Sequence, residues 1–311
     1  MNRLFLIFIC FLSHAFSFAQ STKNISALDN KAIQMRFPNG KAKALLLSYD
    51  DGHTEDRQLV NLLNRYALKG TFHLNSNKLD TKDYLKKDEI KALFKGHEVS
   101  IHTFNHPGLG NLTSKEIAYE VLEDQKELTR LMGDTIKGMA YPFGNYNDTV
   151  IAVIKKLGIH YARTVEDSYA FGIPDDFLKW HPSIHQFAKA YWKPNDPEND
   201  ARELVLFYKT IHSFLEQKEV AVLDIWGHTW EQGSDTAKWQ ETERFIKLLA
   251  YNTDIYYTTQ IELVAYIQAF QQLEFEDDKR VLFNPTSAIL YYTYKNKVFA
   301  IEAGAKQKIK N

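Results

Sequence analysis

An apolar run, Ala44 to Tyr49, stops abruptly at Asp50-Asp51-Gly52, and the same switch from buried to reactive residues recurs along the chain. A short continuous apolar run reads as a strand covered on both faces, as in a parallel sheet between helices. Six later runs read as strands: Thr71 to Asn75, Glu98 to Ile101, Ile136 to Tyr141, Ile159 to Arg163, Val220 to Trp226 and Asp254 to Tyr257. Helix-period segments alternate with them. The first is capped by Thr54 and stops at Lys69-Gly70; another starts at a capping box, Thr113 with Glu116, flanked by the staple pair Leu112 and Ile117. Further helices are expected over 88–95, 148–157, 201–217, 236–250 and 261–271. Alternation of this kind predicts an α/β fold, and seven strands suit a barrel or a strongly curved sheet. Residues 166–197, rich in Pro, Asp and aromatics, read as a long loop. Ala288 to Tyr294 and Lys297 to Ile301 read as an appended β-hairpin turning at Asn296.

The first 19 residues stand apart. Arg3, the apolar stretch Leu4 to Leu12 and the small residues of Ser17-Phe18-Ala19 read as a secretory signal cleaved before Gln20. The chain's one cysteine, Cys10, lies inside that segment, so the mature protein would have neither disulfides nor thiolate ligands. The expected location is secreted or periplasmic, with no stable membrane span after cleavage. A net charge of -1 gives no reason to expect nucleic acid as a partner.

Reactive residues of parallel α/β folds gather at the C-terminal ends of strands. Asp50-Asp51, His102-Thr103-Phe104-Asn105-His106, Tyr141-Pro142 and Trp226-Gly227-His228 all fall there. Taken singly, each has an ordinary explanation: Asp-Asp-Gly is a common turn, and His-x-x-x-His is a weak signal that here lacks the glutamate of the His-Glu-x-x-His proteases. Together they supply one carboxylate and two imidazoles, a ligand set that leaves positions open for water and substrate. A second acid and a third imidazole stand by for proton transfer.

These stretches resemble the motifs of the polysaccharide deacetylase family (carbohydrate esterase family 4, the NodB-homology domain). Leu47-Ser48-Tyr49-Asp50-Asp51-Gly52 is similar to the family's Thr-Phe-Asp-Asp-Gly motif. His102 to His106 matches His-Ser/Thr-x-x-His, Ala140 to Gly144 resembles Arg-x-Pro-x-Gly, and Leu223 to His228 resembles the last motif. The resemblance implies an irregular (β/α)7-type barrel over residues 41–272. A signal peptide (1–19) and a lead-in (20–40) would precede it, and a β extension (273–311) would follow. It implies Asp50 as catalytic base, His228 as general acid, and Asp51, His102 and His106 as ligands of a divalent metal, with zinc (Zn2+) the first guess. Tyr141, Pro142, Trp180 and Trp226 are the expected substrate-binding residues, with the Tyr141 amide a candidate oxyanion donor.

Two departures stand out. Ala140 replaces an arginine that orients the catalytic aspartate, and the fourth motif's aspartate and tryptophan have only Asp167, Asp175, Asp176 and Trp180 as candidates. His73 is expected to pack, and His181 and His185 to lie at a groove or the surface. The leading expectation is a hydrolase removing N- or O-acetyl groups from an acetylated carbohydrate. A carbohydrate-binding protein that lost catalysis and a non-haem iron oxygenase are the alternatives.

Overall fold

The structure, a computed structural model, describes residues 33–187, 197–276 and 281–309. The signal read at residues 1–19, and the lead-in as far as residue 32, lie outside the described residues. Strand β1 (Gln34–Arg36) precedes the long strand β2 (Lys43–Asp51). Then come α1 (Asp56–Arg65), β3 (Thr71–Leu74), α2 (Ile90–Leu93), β4 (Glu98–Ile101), α3 (Ser114–Met132), β5 (Gly138–Ala140), α4 (Asp148–Lys156) and β6 (Tyr161–Arg163). The second half adds β7 (Ile184–His185), α5 (Pro197–Leu215), β8 (Ala221–Gly227), α6 (Thr236–Leu249), β9 (Ile255–Tyr257) and α7 (Gln260–Phe270). Five short strands follow: β10 (Glu274–Glu276), β11 (Val281–Phe283), β12 (Leu290–Tyr294), β13 (Lys297–Ile301) and β14 (Lys306–Lys308).

The main sheet runs β6-β5-β4-β3-β2-β8-β7, all pairs parallel, with β9 joined to the first residues of β2. It is the open, curved sheet of an irregular (β/α)7 barrel, as the strand–helix rhythm predicts. The expected hairpin forms from β12 and β13, and β1 joins it across β12, tying residues 34–36 to the extension. A second small sheet, β10-β11-β14, lies within the same extension.

Two local expectations are corrected. The first helix starts after Glu55 with no side-chain cap, because Thr54 directs its hydroxyl to the Glu55 carboxylate instead. The stretch read wholly as loop contributes β7, which pairs in parallel with Ile225 and Trp226 of β8. Two residues are too few to show a period. The capping box at Thr113 and Glu116 is present as expected.

Side chains alternate across a strand, so each strand divides its residues between two environments. Leu45, Leu47 and Tyr49 of β2 join the core under the outer helices, with Phe72, Leu74, Val99, Ile101 and Leu223. Ala44 and Leu46 face the other way, against Leu263, Val264 and Ile267 of α7. Beyond them on that inner face come Ser48 and Asp50, and the neighbouring strands present Thr71, His73, Glu98, Ser100, Tyr161 and Arg163, all buried. Gly138 is required here: a Cβ would lie 2.1 Å from the Tyr161 ring. The inner face is therefore apolar where α7 closes it and polar towards the strand C-termini.

Glu98 sits at the boundary. Tyr161 donates to its Oε1 at 2.7 Å, and Thr71 Oγ1 and the Ile261 amide donate to its Oε2, each at 3.0 Å. Burial outweighs these donors and raises its pKa to about 7. Folding thus tightens proton binding at Glu98, so its contribution to stability is full at low pH and is lost as pH rises towards about 7. Denaturation of Glu98→Gln across that window should show a shallower fall in stability with pH than the wild type. Parallel profiles would refute the assignment.

Candidate active site

Two strand ends converge. Asp51 closes β2, His102 follows β4, and His106 lies on the loop that β4 opens. Asp51 Oδ1 is 3.7 Å from His102 Nε2 and 3.5 Å from His106 Nε2, and the two imidazole nitrogens are 3.1 Å apart. Donors about 2.0–2.1 Å from a tetrahedral ion stand about 3.4 Å from one another. The observed triangle fits that geometry without rearrangement.

The backbone is bent to achieve this. Asp51 (φ 82), Thr103 (φ 68) and His106 (φ 63) all adopt left-handed conformations, and for a β-branched threonine this costs roughly 1–3 kcal/mol. Asn75 Nδ2 fixes the strained turn by donating to the carbonyls of His102 (2.5 Å) and Thr103 (2.9 Å). Glu120 accepts from the amide of Asn105 at 2.7 Å.

Each donor is also oriented. His102 Nδ1 lies 2.9 Å from the Ala140 carbonyl, which requires the proton on Nδ1 and turns the Nε2 lone pair to the triangle. Burial lowers the His102 pKa; burial and the neighbouring His102 ring lower that of His106 to about 4. Both rings are neutral, as a cation ligand must be. Asp51 offers Oδ1 to the triangle while its Oδ2 accepts from Trp230 Nε1 at 2.8 Å.

Asp50 lies on the inner face beside this group, its Oδ2 3.9 Å from His102 Nε2. Arg163 Nη2 donates to both of its oxygens, and His73 Nδ1 lies 3.1 Å from Oδ1. Arg163 is fully buried and also donates to Ser48 Oγ (2.9 Å) and the Thr164 carbonyl (2.8 Å). Burial alone would raise the Asp50 pKa, but Arg163, with His102 and His73, holds it well below the usual carboxylate range. Arg163 pairs in register with Ala140, so the guanidinium absent at residue 140 arrives from the adjacent strand.

His228, just past β8, faces the same opening. Burial disfavours its charged form, but Glu231 reverses this and raises its pKa; Glu231 Oε2 is 3.6 Å from His228 Nδ1 and accepts from its amide at 3.2 Å.

The expected substrate-binding residues are placed differently. Trp180 is 2% exposed, buried against Tyr161 and Phe177, and offers no surface to a ligand. Tyr141 and Pro142 are buried, the Tyr141 hydroxyl donates to the Leu178 carbonyl, and its amide donates to the Arg163 carbonyl within the sheet. That amide is spent and is no oxyanion donor. Trp226 is 5% exposed, lies under the Arg163 guanidinium at 4.7 Å and donates to Asp167. Among the described residues, the long loop's Asp167 pairs with Trp226. His73 is directed at Asp50 instead of packing among apolar groups.

The exposed aromatics at the opening are others. Phe143, 69% exposed at a positive φ of 57°, sets its ring 4.6 Å from that of His106; Trp230, 41% exposed, lies 4.9 Å from the His228 ring. Arg163, Phe143 and Trp230 are functional candidates that the sequence reading passed over. An arginine inside an apolar strand was the one available signal, because a buried guanidinium demands a buried partner.

The polysaccharide deacetylase family model matches residues 38–162, the span holding Asp50, Asp51, His102 and His106. Over that span the chain is similar to the polysaccharide deacetylase family. Chitin deacetylase 1 of Cryptococcus neoformans var. grubii is 30% identical over 141 residues, 44% of this chain and 29% of that protein. A peptidoglycan-N-acetylglucosamine deacetylase of Bacillus cereus is 28% identical over 129 residues, 40% of this chain and 58% of the relative. The chain thus spans less than two thirds of the length of these curated relatives. A solved Mycobacterium smegmatis structure, provisionally described as a polysaccharide deacetylase, shares the fold with a TM-score of 0.59 at 15% identity, covering 78% of this chain and 96% of that one. Arg163 and His228 fall outside the family-model match.

Arg163→Met should cost about 3–5 kcal/mol in chemical denaturation, because Asp50 is left buried without its counter-charge. Adding Asp50→Asn should recover part of that loss. A single variant within about 1 kcal/mol of the wild type would show that the pair does not neutralise Asp50.

Proposed function

We propose that this chain hydrolyses N- or O-acetyl groups on a carbohydrate, with Asp51, His102 and His106 holding a divalent ion, zinc by preference. The observation that carries the reading is the donor triangle, with edges of 3.1–3.7 Å, flanked by an ionised aspartate on one side and a raised-pKa histidine on the other. An ion so held supplies water whose pKa falls from ~15.7 to about 7 and an electrophile for the acetyl oxygen. Asp50, kept ionised by Arg163 and His73, accepts the proton of the attacking water. His228, kept protonated by Glu231, donates to the departing nitrogen or oxygen. Phe143 and Trp230 offer apolar faces on which a sugar ring can lie. The missing motif arginine favoured a binder without catalysis; Arg163 supplies that guanidinium, and the hydrolytic reading stands ahead of it. Imidazole and carboxylate donors would also suit iron, but no further support for oxygenase chemistry comes from the fold.

The substrate would be an acetylated glycan met outside the cytoplasm, in line with the leader read at residues 1–19. No helix among the described residues is long and apolar enough to cross a membrane.

Acetate release from chitin oligosaccharides, peptidoglycan fragments and acetylated xylan, with and without chelator, tests the reading. Release should stop on chelation and return with zinc, and Asp51→Ala, His102→Ala and His106→Ala should each lose metal and activity together. Turnover by a metal-free triple variant would overturn it. His228→Ala should keep its metal yet lose about 10²–10⁴-fold in rate. The loss should be larger on N-acetyl than on O-acetyl substrates, because an amine leaves only once protonated. Equal losses on both would remove His228 from the role of acid.

A further inference from the structure

Behind His228 lies a second group of donors that the reaction just described does not use as ligands. His185 comes from β7, His228 from the end of β8 and Glu231 from the turn after it. Glu231 Oε2 is 3.4 Å from His185 Nε2 and 3.6 Å from His228 Nδ1, and one ligand atom from each residue lies within 4.8 Å of the others. The two Glu231 separations are close to the edge of a tetrahedron around a small cation, about 3.4 Å.

The independent observation is His185 itself. It is 6% exposed, and neither ring nitrogen has a hydrogen-bond partner among the described residues. A buried imidazole left in this state is costly, and such groups call for an unseen water or ion. Its surroundings narrow the choice. The ring stands edge-on to Trp226, 4.3 Å between centroids, and Nε2 lies 3.4 Å from the Glu231 carboxylate, a distance a cation would bridge. Burial keeps His185 neutral, and although burial works against the Glu231 charge, His185 and His228 hold its pKa low. His185 and Glu231 are thus in the protonation states a cation needs, and binding must displace the proton that Glu231 favours on His228.

We propose that His185, His228 and Glu231 form a second, weaker divalent-cation site adjoining the first. It is weaker because Glu231 is its one carboxylate donor, whereas the first group has Asp51 as ligand and Asp50 beside it. Filling it must also break the contact between Glu231 and the His228 amide. A cation there takes the Nδ1 lone pair of His228 and the charge of Glu231, so that His228 no longer serves as proton donor. Excess metal would therefore inhibit. This last consequence rests on the hydrolytic reading of the site, whereas the binding does not.

The test uses zinc alone and the full chain, stripped with chelator and then titrated under equilibrium dialysis with metal content read by mass spectrometry. The wild type should take up about two ions per chain in separable steps, and His185→Asn about one. Glu231→Gln should match His185→Asn, while Asp51→Ala should keep the weak ion and lose the tight one. Saturation of the wild type at one ion, or two ions still bound by His185→Asn, overturns the proposal. In acetate-release assays, zinc beyond the first equivalent should slow the wild type at least about threefold and leave His185→Asn unaffected. Two ions without inhibition would keep the site and refute its effect on His228. A chain that binds two ions but releases no acetate would refute the hydrolytic reading alone.

Discussion

A strand can show only every second side chain to one side of its sheet, and that restriction organises this molecule. On β2 it sends Leu45, Leu47 and Tyr49 under the outer helices and Ala44, Leu46, Ser48 and Asp50 to the inner face. The same parity on β3, β4, β6 and β8 collects His73, Ser100, His102, Arg163, Asp224 and His228 along one surface. Apolar groups and α7 fill the lower part of that surface. What remains at the strand C-termini is a polar pocket, built from residues that could not have been placed elsewhere without turning their strands over.

Such a pocket is electrostatically expensive unless its charges are matched. Asp50 is the group most exposed to this cost: it is 2% accessible to solvent and needs ionised surroundings to remain a carboxylate. Arg163 answers it from across the sheet, with Ser48 and the Thr164 carbonyl holding the guanidinium in its own place. Asp51, one residue on, escapes the same enclosure because its left-handed backbone swings the carboxylate outward to the two imidazoles and Trp230. Two adjacent aspartates thus acquire different environments, one shielded and charge-paired, the other turned towards two imidazoles. Glu231 repeats the principle on the opposite wall, where its charge is set against His228 and His185.

Much of this was legible in the chain. Apolar runs ending at reactive residues marked β2 and β8, a short strand delivering His102 marked β4, and the resemblance of those ends to known motifs assigned Asp50, Asp51, His102, His106 and His228 to one place. The partners were less visible for physical reasons. Arg163 and Ala140 are 23 residues apart in sequence and side by side in the sheet, and local spacing does not say which strands will be neighbours. The aromatic candidates failed on enclosure: Trp226 shares the inner face but is covered by Arg163, and Trp180 is buried against Tyr161. Phe143 and Trp230 reach solvent because of a positive φ and a one-turn 3-10 helix, details that hydrophobic pattern does not encode.

The central claim is that Asp51, His102 and His106 share one cation, and zinc absorption spectroscopy of the chain loaded with a single equivalent tests it most directly. The account predicts a shell of two imidazole nitrogens with oxygen donors at about 2.0–2.1 Å, reduced by one imidazole in His106→Ala. A shell of oxygen alone, or an imidazole count unchanged by that substitution, would contradict it.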